Sequence, residues 1–138
     1  MSDDEKKQKI ERETKKYTIR IRTADQRFAG TDDRIMFQIV GSVGKTIFMD
    51  LNNSMHNDFE RGKVDDFQMR AACVGDLESV NIQKLHQIVA DKWIVARIII
   101  KCGPSIWCTP NSLTVVKDEM VNLPLSRMCP DSFENESK

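Results

Sequence analysis

Asp32, Asp58 and Glu60 are the residues of this chain whose type and placement could do chemistry. They stand in two short polar segments, Phe28-Ala29-Gly30-Thr31-Asp32-Asp33 and Asn57-Asp58-Phe59-Glu60-Arg61-Gly62. If the two segments meet, three carboxylates come together. Two like charges about 4 Å apart repel by about 4 kcal/mol at an effective dielectric of about 20. A calcium ion offsets such repulsion, because it takes about six to eight oxygens, accepts backbone carbonyls and tolerates irregular loops. Magnesium fits less well, since its strict octahedron suits no site drawn from two loops. Gly30 lets the backbone approach closely, so the carbonyls of Gly30 and Thr31 are candidate ligands, and Asn57 adds an amide oxygen. Two other readings stay open on these residues alone. Asp and Asn are common in loops because they make turns, and Arg34 or Arg61 could neutralise the carboxylates without a metal.

Other reactive residues lack a setting. His56 adjoins the second segment, but imidazole is a poor calcium ligand, so it reads as a solvated loop residue. Ser105, Ser112 and the cysteines sit in no nucleophile elbow and beside no histidine, so no enzyme is expected. Cys73, Cys102, Cys108 and Cys129 form no Cys-x-x-Cys pair, which argues against zinc and is expected to mean free thiols in a reducing compartment.

Charge excludes further classes. Lys plus Arg number 21 and Asp plus Glu number 21, whereas a general nucleic-acid binder needs a basic excess. Long-range steering to anionic lipid by the whole molecule is excluded as well, so any membrane attraction must be local. Lys6, Lys7, Lys9, Lys15 and Lys16 are interleaved with acids, which weakens a polybasic lipid anchor. No apolar run reaches the roughly 20 residues of a membrane span; the longest, Ile94 to Ile100, is interrupted by Arg97. The polar N-terminus does not read as a secretory signal. The expected location is cytoplasmic, with at most peripheral membrane contact.

The elements that must position the carboxylates show a period of two. Tyr17, Ile19, Ile21 and Thr23 alternate with Thr18, Arg20 and Arg22. Ile35, Phe37 and Ile39 form a second set, and residues 46–51 a third strand. Phe67, Met69 and Ala71 form a fourth, Val80 and Ile82 a fifth. Residues 93–101 are nearly continuously apolar and read as a central strand covered on both sides, with Trp93 in the core. Residues 106–108 and 113–116 complete the set. An all-β, antiparallel, eight-stranded β-sandwich is expected. It spans residues 17–123, with a charged arm over 1–16 and a polar tail over 124–138.

The run Tyr17-Thr18-Ile19-Arg20-Ile21-Arg22-Thr23, then Phe28-Ala29-Gly30-Thr31-Asp32-Asp33, Ile39-Val40-Gly41 and Asn57-Asp58-Phe59-Glu60-Arg61-Gly62-Lys63-Val64-Asp65 resembles the N-terminal PLAT domain of animal lipoxygenases. Val74-Gly75-Asp76-Leu77, Val80-Asn81-Ile82 and Asp91-Lys92-Trp93 fit the same pattern. The resemblance covers about residues 17–116. It implies an eight-stranded sandwich that binds calcium at its loop tips and docks on phospholipid or on a partner protein. The lipoxygenase-type calcium ligands correspond to Gly30, Thr31, Asp32, Asn57, Asp58 and Glu60. The positions that insert aromatic residues into lipid correspond to Arg27, Ile88 and Leu113. Arg27 departs from that pattern, though its guanidinium can meet a phosphate, and Phe28 is an alternative wedge or a core residue. The implied function is calcium-dependent docking on a phospholipid membrane without catalysis. The competing function is a protein-interaction adaptor in which calcium is structural or absent.

Overall fold

Alternating side chains decide which face of each run is buried, and the computed structural model, which describes residues 14–52, 58–85, 92–110 and 112–127, turns those runs into strands. β1 (Thr14–Thr23) buries Tyr17, Ile19, Ile21 and Thr23. β2 (Arg34–Gly41) buries Ile35, Phe37 and Ile39. Two short strands follow, β3 (Gly44–Lys45) and β4 (Met49–Asp50). β5 (Val64–Ala72) and β6 (Leu77–Leu85) run before the central β7 (Trp93–Cys102). β8 (Ser105–Cys108), β9 (Thr114–Val116) and β10 (Val121–Pro124) complete the chain.

Among the described residues, ten strands make two antiparallel sheets. One has the order β5-β1-β7-β8, with β9 also paired to β7. The other has the order β10-β6-β2-β3, with β4 also paired to β2. Their inner faces close on one core that includes Ile19, Phe37, Ile82, Trp93, Ile98 and Ile100. Burying each such side chain contributes about 1.5–3 kcal/mol. Polar groups within the core find partners. Trp93 Nε1–H donates to Thr23 Oγ1 at 2.9 Å, and the Tyr17 hydroxyl accepts from the Val74 N–H at 3.3 Å. As expected, β7 is covered on both faces: Ile94 packs with Ala24 and Ala29 on the outer side.

The strand count exceeds eight for two local reasons. The third expected strand is broken at Thr46, whose hydroxyl accepts from the Ile39 N–H at 3.0 Å. That hydroxyl replaces a ladder carbonyl, so β3 ends and pairing resumes only at β4. β10 is short and ends in proline, and only its pairing with β6 defines it.

The cysteine expectation needs correction. Cys73 and Cys102 are free thiols, but Cys108 is disulfide-bonded, with its partner outside the described residues. An isolated bridge between Cys108 and Ser126 brings the end of the described chain alongside β8. Sequence spacing carries no trace of that approach. Disulfides persist chiefly in oxidising compartments, so the reducing-compartment reading loses the support of this cysteine.

Candidate functional site

Strand direction puts the β1–β2, β4–β5, β6–β7 and β9–β10 connections at one end of the sandwich. The first two of these carry the acidic segments, and the backbone binds them into one unit. Thr31 N–H donates to the Phe59 carbonyl at 3.0 Å, Gly62 N–H to the Ala24 carbonyl at 3.1 Å, and Thr23 N–H to the Lys63 carbonyl at 3.0 Å. Gly30 is required at this seam. A Cβ there would stand 2.8 Å from the Phe59 carbonyl oxygen and 3.1 Å from the Arg61 nitrogen. Asp65 Oδ2 accepts from the Phe59 N–H at 2.8 Å, and Thr31 Oγ1 accepts from the Asp33 N–H at 3.1 Å. Both are side-chain caps that hold the turns.

The carboxylates converge as a pair with a third nearby. Asp32 and Glu60 are close enough for their carboxyl groups to influence one another. Burial first, then the charge and close approach of Asp32 and the charge of Asp65, push the Glu60 carboxyl above its ordinary range. Glu60 therefore holds its proton more readily than an isolated acid does. Asp32, Asp58 and Glu60 line a cleft of about 690 Å³ together with Thr31, Asp33 and Asp50. Asp32 and Glu60 also line a second cleft of about 250 Å³ with Phe28, Gly30 and Arg61. Among the described residues, no three His, Cys, Asp or Glu side chains stand close enough together to grip a metal ion. Asn57 lies outside the described residues, so the sixth expected ligand is not placed.

The two arginines that could neutralise these acids are directed elsewhere. Arg34 pairs with Asp50 at 2.9 Å, and Arg61 pairs with Asp25 at 2.9 Å. A cation that sequence reasoning missed stands behind the site. Lys84 is fully buried, and its ammonium donates to Asp33 at 2.5 Å and to Asp118 at 3.2 Å. It thereby ties β6 to the β1–β2 loop and to the β9–β10 loop. The signal was present in the sequence: Lys84 continues the inward parity of Val80 and Ile82, where a lysine must find acids.

The membrane-facing candidates divide. Phe28 is 73% exposed at a backbone φ of 62°, so it is a surface residue and not part of the core. The Arg27 guanidinium lies 4.9 Å from its ring centroid, within cation–π range. Leu113 is 53% exposed. It precedes β9, whose opposite end, Val116, is the one paired with Trp93 at the loop end. Ile88 lies outside the described residues.

The PLAT/LH2 domain model matches residues 17–115. The chain belongs to the PLAT/LH2 domain family. It is 30% identical over 107 residues to the allene oxide synthase-lipoxygenase protein of Plexaura homomalla, covering 74% of this chain and 10% of that protein. It is 34% identical over 86 residues to lipoxygenase homology domain-containing protein 1 of Mus musculus, covering 62% of this chain and 4% of that protein. The crystal structure of a coral 8R-lipoxygenase, described as calcium-activated through a C2-like domain, superposes with a TM-score of 0.67 at 27% identity. It covers 79% of this chain and 17% of that one. The PLAT chain thus spans a small fraction of the relatives it matches. What it shares with them is the PLAT domain, the non-catalytic part of lipoxygenase-family proteins. No helix among its described residues is long and apolar enough to cross a membrane.

Proposed function

We propose that this PLAT domain is a non-catalytic calcium-binding module that associates with phospholipid membranes through its loop end. The observation that carries the reading is the convergence of Asp32, Asp58 and Glu60 on one cleft between two loops joined by backbone hydrogen bonds. Its donor chemistry suits a hard divalent cation. Gly30, Thr31, Asp32, Asn57, Asp58 and Glu60 would hold the ion. The paired Asp32 and Glu60 are preformed, whereas the lack of a ready three-carboxyl cluster means that Asp58 must adjust. When bound, calcium would supply positive charge that offsets the carboxylates and attracts phosphate. The activation of the coral 8R-lipoxygenase by calcium through its C2-like domain supports the same assignment.

The membrane-facing residues are Phe28 and Arg27 of the β1–β2 loop, with Ile88 of the β6–β7 connection; Leu113 precedes the end of β9 that points away from the loops and is not part of this contact. Phe28 presents an apolar ring, and Arg27 beside it carries the charge suited to a phosphate. A phenylalanine held in the left-handed region without burial fits a docking role, since such strain clusters at ligand-binding sites. Co-sedimentation with phosphatidylcholine–phosphatidylserine vesicles tests the reading. Calcium should increase binding, and Phe28→Gly should remove that increase. A calcium response that is absent, or that ignores Phe28→Gly, would favour the adaptor alternative, in which the sandwich binds a protein partner and calcium is structural or absent.

A further inference from the structure

We infer that the loop end meets the bilayer along a row of apolar side chains, Phe28, Leu85 and Met120, and that Leu85 and Met120 stand ready without calcium. The inference rests on the membrane reading of Phe28 above and extends it to the β9–β10 connection. Strand order sets the row. At the loop end one sheet runs β5-β1-β7-β9 and the other β4-β2-β6-β10. Stacked face to face, they place the crossing connections side by side as β4–β5, β1–β2, β6–β7 and β9–β10. Asp32, Asp58 and Glu60 belong to the first two. Phe28 belongs to the second, Leu85 ends β6 where the third departs, and Met120 is the last residue of the fourth.

Lys84 fixes the calcium-free half of this row. Its buried ammonium donates to Asp33 of the β1–β2 connection and to Asp118 of the β9–β10 connection. One cation at the end of β6 thus ties three neighbouring connections together, and a buried lysine keeps such partners because losing them is costly. Register completes the arrangement. Val121 faces Ile82, which brings Met120, just before β10, alongside the last residues of β6. None of these contacts uses a carboxylate assigned to calcium. Met120 is 57% exposed and Leu85 38%, beside Phe28 at 73%. One apolar side chain from each of three neighbouring connections suits a fluid hydrocarbon layer, which moulds to separate tips, whereas a protein partner would need a recess for each. The unbranched thioether of Met120 adapts readily to such a layer, and the row is continuous with the Phe28 contact.

The test is the fluorescence of Met120→Trp in the full chain. The native Trp93 and Trp107 are buried, so the added indole reports its own surroundings. At saturating phosphatidylcholine–phosphatidylserine vesicles its emission should shift to the blue, and phosphatidylcholine brominated on its acyl chains should quench it, in calcium and in chelator alike. Val43→Trp, in the exposed β2–β3 turn at the opposite end of the sandwich, should show neither change. The double variant Leu85→Gln, Met120→Gln should lose about tenfold in vesicle affinity under both conditions. A Met120→Trp emission that ignores vesicles, that responds only in calcium, or that responds no more than Val43→Trp would overturn the inference, as would a double variant that binds like the unaltered chain. Calcium-stimulated binding without a Met120→Trp response would remove this row and leave the calcium reading standing. A Met120→Trp response in chelator, with no calcium stimulation of binding, would support the row and count against the calcium reading.

Discussion

Phe28 and Phe59 share a backbone conformation and almost nothing else. Their φ angles are 62° and 64°, in the left-handed region that costs a bulky residue about 1–2 kcal/mol. Phe59 is 3% exposed, stacks on Phe67 with centroids 5.4 Å apart, and meets Trp93 edge-on at 4.7 Å. Core burial and ring contacts offset its strain. Phe28 is 73% exposed, with the Arg27 guanidinium over its ring. Nothing in the core offsets its strain; a turn closed by the Ala29 N–H on the Gln26 carbonyl at 3.1 Å accompanies it. The comparison separates two uses of one conformation: Phe59 anchors its loop to the sandwich, while Phe28 holds a ring out to solvent.

The largest expected effect breaks the anchored side. Phe59→Ala should lower stability by about 3–5 kcal/mol in urea denaturation and loosen the Thr31–Phe59 seam. A loss under about 1 kcal/mol would mean that the ring is not an anchor. Nearly as large, Lys84→Met should cost about 3 kcal/mol, because it leaves Asp33 buried without its ammonium. Asp118 is partly exposed and adds little to that figure. Gly30→Ala should cost about 1–3 kcal/mol, since its Cβ would press on backbone atoms of the facing loop. It should weaken calcium binding as well, and calcium affinity that does not change would detach the seam from the site.

Glu60 gives a pH signature smaller than these. Its raised pKa means that the folded chain binds the proton more tightly than the unfolded chain does. The stability it contributes is fully present below the ordinary carboxyl range and is lost as pH rises through the raised value. Calcium competes for the same oxygens, so its affinity should rise with pH across that window. Glu60→Gln should flatten the dependence, and a profile left intact would assign it to other groups. Smallest of all, Phe28→Gly should leave stability within about 1 kcal/mol while removing calcium-stimulated vesicle binding.

Much of this architecture was legible because alternation and burial are local properties. Tyr17, Ile19 and Ile21, the run through Ile98 and Ile100, and Trp93 all took the faces that their parity dictates. The meeting of the two acidic loops was inferable from strand order together with family resemblance. What stayed hidden depends on distant partners. Thr46 breaks its strand through a hydroxyl aimed at Ile39. Lys84 is buried because Asp33 and Asp118 reach it from two loops. Phe28 could have been core or surface until the turn at Gln26 fixed its direction. Cys108 pairs through an approach that sequence spacing does not encode.

Isothermal titration of the intact chain with calcium reads the shared-carboxyl site most directly. The account predicts one saturable binding event that disappears in the Asp32→Asn, Glu60→Gln variant, while the melting temperature in chelator stays the same or rises as the acid pair is neutralised. No binding by the unaltered chain, or equal binding by the variant, would contradict it.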